Sequence, residues 1–121
     1  MEEIYMKMLH VTIQTKHFEE EMKFFMEHVG LDIVNDMRPF GRNMVFLANG
    51  EGETNIEIIE NMEADASGNR YLSVGFKTED VDGKRETMIA AGFEVTPMIT
   101  PAPNVKFFFV KDPAGVNIQF M

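Results

Sequence analysis

From Met8 to Thr15, the apolar residues Leu9, Val11 and Ile13 alternate with His10, Thr12 and Gln14, the period of a strand with one buried face. The period then changes. Over His17 to Val29, Phe18, Met22, Phe25, Met26 and Val29 recur at spacings of three and four, which gathers them on one side of a helix. Glu19, Glu20 and Glu21 fall in its first turn, where the helix dipole favours negative charge, and are expected in solvent. Gly30 suits the helix end, because glycine takes the left-handed conformation at little cost. Strands are expected at Leu31–Met37, Asn43–Ala48 and Asn55–Glu60, joined by the Arg38–Arg42 loop and a hairpin over Asn49–Glu53. Met62–Asn69, polar and rich in small residues, reads as a linker.

After the linker the same order returns. Tyr71–Thr78 predicts a strand and Asp80–Ala91 a helix with Val81, Met88 and Ile89 inward, ended by Gly92. Phe93–Met98 predicts a strand, Thr100–Asn104 a stiff loop with two prolines, and Val105–Val110 and Val116–Met121 two more strands. Between the last two, Asp112-Pro113-Ala114-Gly115 is a tight turn: proline presets one dihedral and glycine accepts positive φ. The residues repeat along with the pattern. Val11–Thr15 (VTIQT) matches Val74–Thr78 (VGFKT), 63 positions on, and Asn55–Ile58 (NIEI) matches Asn117–Phe120 (NIQF), 62 positions on. Gly30–Val34 (GLDIV) matches Gly92–Thr96 (GFEVT), also at 62.

A single α+β domain over residues 1–121 follows, with modules of about 8–61 and 71–121. Each module is a βαβββ unit whose helix covers one sheet face. Two such units placed edge to edge form a curved mixed sheet around a cleft, and concave clefts are the usual small-molecule sites. The repeat then brings His10 opposite Ser73 on the first strands and Glu57 opposite Gln119 on the last.

The composition narrows the partners. The formal charge of −9 opposes nucleic acid and anionic membrane surfaces, since phosphates would be repelled. No stretch approaches the roughly 20 apolar residues of a membrane span. The opening residues lack the continuous apolar run of a signal peptide. The chain has 0 cysteines, which removes disulfides and thiolate chemistry and points to a cytoplasmic location. Neither a phosphate-binding Gly-x-x-x-x-Gly-Lys loop nor a Gly-x-Ser-x-Gly elbow occurs. His17 and His28, on the first helix, are read as solvent-facing.

The segment Leu9–Leu31 (LHVTIQTKHFEEEMKFFMEHVGL) and the ending Phe109–Phe120 (FVKDPAGVNIQF) resemble the opening and close of the vicinal oxygen chelate superfamily. That superfamily includes glyoxalase I, bleomycin resistance proteins, extradiol dioxygenases and fosfomycin resistance proteins. The Phe24-Phe25 pair and Asp112-Pro113-Ala114-Gly115 fall on its motifs. The resemblance implies a glyoxalase-like fold, a homodimer and a small-molecule ligand. It also implies four inward positions that hold one divalent ion (zinc, nickel or iron) in metal-dependent members. His10, Glu57, Ser73 and Gln119 occupy them here.

His10, Glu57 and Gln119 are therefore the candidate metal ligands, with Glu57 also the candidate catalytic base. Ser73, Phe40 and Arg42 are the candidate substrate-binding residues, the last two from the loop that borders the cleft in the family. An imidazole and a carboxylate are good ligands, whereas the serine hydroxyl and the glutamine carbonyl are poor ones. The two-histidine, one-carboxylate set of an extradiol dioxygenase is absent. Two readings remain: a metal-dependent lyase or isomerase acting on an oxygen-rich substrate, and a metal-free sequestering protein of the bleomycin-resistance type.

Overall fold

The structure, a computed structural model, describes residues 5–121. The first half runs β1 (His10–Thr15), α1 (Phe18–Phe24), β2 (Asp32–Asp36), β3 (Met44–Ala48) and β4 (Asn55–Glu60). Helix α1 continues into a wider turn over Phe25–Val29 that Gly30 closes at φ 86. The second half runs β5 (Ser73–Phe76), α2 (Val81–Ala90), β6 (Ile99–Ala102), β7 (Val105–Lys111) and β8 (Asn117–Phe120).

The sheets share one topology, β1-β4-β3-β2 and β5-β8-β7-β6. In each, the first strand pairs parallel with the fourth and the remaining pairs are antiparallel. The repeat read from the residues is thus a repeat of hydrogen-bonding register: His10 pairs with Asn55, and Ser73 pairs with Asn117.

One continuous core serves both halves. Ile13, Phe25, Val45, Leu47 and Ile58 from the first are fully buried with Met88, Phe108, Val110 and Ile118 from the second. Aromatic rings cross the junction, Phe24 to Phe93 at 5.2 Å and Phe25 to Phe76 at 6.2 Å. Ring pairs in this range add to the area they bury.

Three expectations need correction. Phe93–Met98 forms no strand: only Val95 bridges to Val110, and β6 starts at Ile99, running through the expected loop. Pro97 has no N–H to give the ladder, so pairing with β7 breaks there and resumes where Ile99 meets Phe107. Pro101 is tolerated because β6 is an edge strand. Ile89 is 48% exposed, leaving Met88 as the fully buried residue of α2. The third correction is Glu21, which is 0% exposed. It lies three residues after Phe18 and four before Phe25, so it shares their inward face while Glu19 and Glu20 face solvent.

Glu21 meets Asp112, in the turn between β7 and β8. The two side chains are hydrogen-bonded to each other, and Glu21 Oε2 and Asp112 Oδ2 receive no N–H or hydroxyl donor. Two carboxyl oxygens can bond only through a proton. Burial pushes the Glu21 carboxyl up to about 10, and the Asp112 carboxylate beside it adds to the rise. Asp112 is also raised by burial, but its backbone N–H donors oppose this: Ala114 N at 3.0 Å and Val116 N at 2.9 Å donate to Oδ1. Glu21 is therefore the acid and Asp112 the acceptor. Ala114 N also donates to Glu21 Oε1 at 3.2 Å. A shared proton and a backbone N–H tie the helix of one half to the turn of the other.

The linker packs on the same turn. Asp65 Oδ1 accepts Ser67 N at 3.0 Å, starting a short 3-10 turn over Ala66–Asn69, and Asn69 Nδ2 donates to Ala114 O at 2.8 Å. A Cβ on Gly115 would lie 2.6 Å from Ala66 O, at φ +87, whereas Gly30, at φ +86, has nothing within 4 Å. Gly30→Ala therefore costs only the backbone term, about 1 kcal/mol. Gly115→Ala adds a backbone clash and is expected to cost about 3 kcal/mol. Urea unfolding of the two variants checks the difference.

Candidate functional site

Each sheet has one face under the core and one facing out, and strand register decides which residues share the open face. In the first sheet Thr12 pairs with Glu57 and Glu57 with Phe46, so His10, Thr12, Asn55, Glu57 and Phe46 stand together there. A bulge between Ile33 and Asn35 turns Asn35 to the same side, opposite Phe46. In the second sheet Gly75 and Phe109 both pair with Gln119, so Ser73, Gly75, Asn117, Gln119 and Phe109 form the equivalent face.

His10 Nε2 lies 3.5 Å from Glu57 Oε1, which also accepts the Thr12 hydroxyl at 2.5 Å. The edge of the His10 ring meets Phe46, with centroids 5.8 Å apart. Glu57 is 9% exposed, whereas the His10 side chain is 39% exposed. A carboxylate is thus sunk into the sheet and oriented by a hydroxyl, beneath an imidazole open to solvent. His10 opens onto a hollow of about 310 Å³ whose polar walls are Lys7, Asn35, Glu51, Glu53 and Asn55, floored by Phe46.

The equivalent residues of the second half lie elsewhere. Ser73 lines a separate hollow with Arg70, Tyr71, Thr96, Phe109 and Asn117. The Arg70 guanidinium sits 4.8 Å above the Tyr71 ring centroid. Gln119 packs beside Gly75, where a Cβ would come within 3.1 Å of its Oε1. Within one chain, then, His10 and Glu57 are brought together, while Ser73 and Gln119 stand on the matching face of the other sheet. Phe40 is 77% exposed and Arg42 is exposed, and neither lines the His10 hollow. In the same loop Arg38 is committed to Asp36, with Nη2 2.7 Å from Oδ2, and this hydrogen bond holds the Asp36 carboxyl below its usual range.

A divalent ion needs at least three good donors around one point. His10 and Glu57 are two. Among the described residues no group of three or more His, Asp or Glu stands close enough to share an ion. One chain by itself does not fit a metal at this site.

Thr12, Phe46, Asn35 and Asn55 escaped the sequence reading, as did Phe109 and Asn117. The signal was present: Phe46 and Phe109 are 63 positions apart, the same offset that relates His10 to Ser73. His28 also differs from expectation, being half-buried with its ring 5.0 Å from that of Phe93.

Comparison with known proteins agrees with this architecture. Solved structures with the same fold include a possible glyoxalase from Bacillus cereus, 21% identical with a TM-score of 0.77, covering 97% of this chain and 99% of that one. The trypanothione-dependent glyoxalase I of Leishmania major is 22% identical with a TM-score of 0.75, over 97% of this chain and 86% of that one. The bleomycin-binding protein of Streptomyces verticillus, complexed with copper(II)-bleomycin, is 16% identical with a TM-score of 0.65, over 98% of each chain. No curated protein sequence matches. The family model of the Glyoxalase/Bleomycin resistance protein/Dioxygenase superfamily matches residues 7–120, and the chain belongs to that superfamily.

Proposed function

We propose that this protein binds a small, oxygen-rich organic molecule on the open face of its first sheet and moves a proton on it, as a lyase or isomerase does. The observation that carries this reading is the His10–Glu57 pair. Its carboxylate is 9% exposed, is oriented by Thr12 and lies beside an imidazole at the mouth of a hollow. A carboxylate so placed can take a proton from a carbon next to a carbonyl, while the imidazole donates to the oxygen on which charge develops. The carboxyl then returns its proton to the neighbouring carbon while that carbon's hydroxyl gives its own proton back to the imidazole and becomes the new carbonyl, so the isomerisation closes with both groups as they began. Phe46 supplies an apolar wall, and Asn35 and Asn55 supply amide groups for the substrate's oxygens.

We further propose that a second copy completes the site, in a cytoplasmic homodimer. Strands β1 and β5 are edge strands, and large apolar side chains flank their leading ends: Met8 66% and Leu9 67% exposed before β1, and Tyr71 88% before β5. Burying these flanks against each other would carry Ser73 and Gln119 of one copy towards His10 of another and protect both edges.

The reading is tested by hydrogen–deuterium exchange at the carbon beside the carbonyl of dihydroxyacetone in heavy water, followed by NMR. Exchange above the buffer rate is expected from the native protein, with a loss of about a hundredfold or more in Glu57→Gln, the usual scale of acid–base catalysis. If native protein and Glu57→Gln exchange at the buffer rate, and dihydroxyacetone causes no shift in the Phe46 or Asn55 resonances, the assignment of this face fails.

A further inference from the structure

A second hollow, of about 200 Å³, opens at the junction of the two halves, away from the His10–Glu57 face. The wider turn after α1 gives it His28 and Val29, the β3–β4 loop Asn49, the last residue of β5 Phe76, the segment that follows it Lys77 and Thr78, α2 Lys84, and β8 Phe120. Its chemistry is unusual for this chain. Asp and Glu number 20 against 11 Lys and Arg, yet no carboxylate side chain lines it. Lys77, Lys84, His28, Asn49 and Thr78 all carry groups that donate hydrogen bonds.

Lys84 is the informative residue. Lys106 meets Asp82 at 2.8 Å and Arg38 meets Asp36, whereas Arg85, like Lys84, donates to a backbone carbonyl. Lys84 is half-buried and has no ion pair among the described residues. Its ammonium donates to the backbone carbonyl of His28 and sits 5.0 Å from the centroid of the Phe120 ring. The carbonyl uses one of its three N–H groups, and the ring face offers only a weak cation–π contact. Burial holds the amine below its ordinary pKa, the sign of an ammonium that has given up water without gaining a counter-ion.

We propose that this junction hollow is a second binding site, for a small organic carboxylate with an apolar body. The carboxylate would take the remaining Lys84 donors together with Lys77, Thr78 or Asn49. The body would lie against Val29, Phe76 and Phe120, which form the apolar wall. A charge-assisted hydrogen bond to a partly dry ammonium is among the stronger polar contacts available to a small ligand. The site is independent of the proton-transfer reading, since it shares no residue with the His10–Glu57 face. Because its walls come from both halves, an occupant would also resist their separation.

Benzoate and its neutral analogue benzamide are the probes, compared by calorimetric titration and thermal melting at constant ionic strength. Saturable benzoate binding is expected, with a rise in melting temperature and none from benzamide. Inorganic phosphate serves as the competitor that has charge but no apolar body, and it is expected to bind more weakly. Lys84→Met keeps the stem on Phe120 and should weaken benzoate about tenfold or more, whereas Lys84→Arg should retain binding. Should Lys84→Met fold poorly by circular dichroism, Lys77→Met and Thr78→Val decide the matter, with a severalfold loss expected from each. Equal binding of benzoate and benzamide overturns the proposal. So does an unchanged affinity in Lys84→Met, or in both alternative variants.

Discussion

Near pH 8.5 the protein is expected to unfold at a clearly lower urea concentration than near pH 5.5, by a few kcal/mol of lost stability. The cause is Glu21. Its carboxyl is ordinary in the unfolded chain, at 4.5, and is pushed up to about 10 in the folded one. Between those values the folded protein holds a proton that the unfolded chain releases. A raised folded-state pKa gives stability that is complete below 4.5 and is lost as the pH climbs towards 10. One such proton is worth about 1.4 kcal/mol per pH unit, a large fraction of the 5–15 kcal/mol typical of a domain. Asp36 and Asp65 act oppositely. Arg38 and the Ser67 N–H hold their carboxyls low, so their contribution is lost only on acidification below the usual carboxylate range. Greatest stability therefore falls in mild acid.

Glu21→Gln isolates the effect. A glutamine amide can donate to Asp112 Oδ2 where the acid proton stands now, and its carbonyl can accept Ala114 N where Glu21 Oε1 does. The geometry survives and no proton need be bound. The variant should match the native protein near pH 5 and exceed it by about 3 kcal/mol or more near pH 8, with a nearly flat profile between. Equal slopes in the two proteins would remove the shared proton from the account.

The strand–helix–strand order, the repeat and its register were legible because each rests on local periodicity and on paired residue types at one offset. His10 and Glu57 were legible for the same reason, as polar residues on the open side of β1 and β4. What escaped depends on a third dimension. Pro97 read as strand and Pro101 as loop, yet pairing with β7 is lost at Pro97 while Pro101 falls inside β6, which tolerates it because β6 has no neighbour on its far side. Glu21 read as solvated because its two neighbours are, although its spacing from Phe18 and Phe25 places it inward. A charged residue on an apolar stripe is costly to bury, so the pattern argues against burial until the partner is known. Asp112 is that partner, 91 positions away in a turn whose Asp-Pro-x-Gly chemistry already explained it locally. The separation of Ser73 and Gln119 from His10 was equally hidden, since a repeat fixes which residues are equivalent but not which copies of a module face each other.

Asp112→Ala should then be among the most damaging single substitutions in the chain, costing about 3–5 kcal/mol and read as a fall in the urea midpoint. Val116 N would lose its side-chain acceptor, and the buried Glu21 acid would lose the oxygen that receives its proton. Each unpaired buried donor costs about 1–3 kcal/mol. Ala114 N keeps Glu21 Oε1, which limits the loss. Asp112→Asn separates hydrogen bonding from charge. Its carbonyl can still accept Ala114 N and Val116 N, and its amide can donate to Glu21, while the like charge beside Glu21 is gone and burial alone holds its carboxyl up. That variant should cost far less than alanine and should lessen the pH slope, without flattening it as Glu21→Gln does, because Glu21 stays buried. Glu21→Gln and Asp112→Ala thus act on one contact with opposite signs above neutral pH: the first removes a proton that the folded state must hold, the second removes the acceptor that makes holding it bearable. A plain packing contact would give two losses of similar size at every pH.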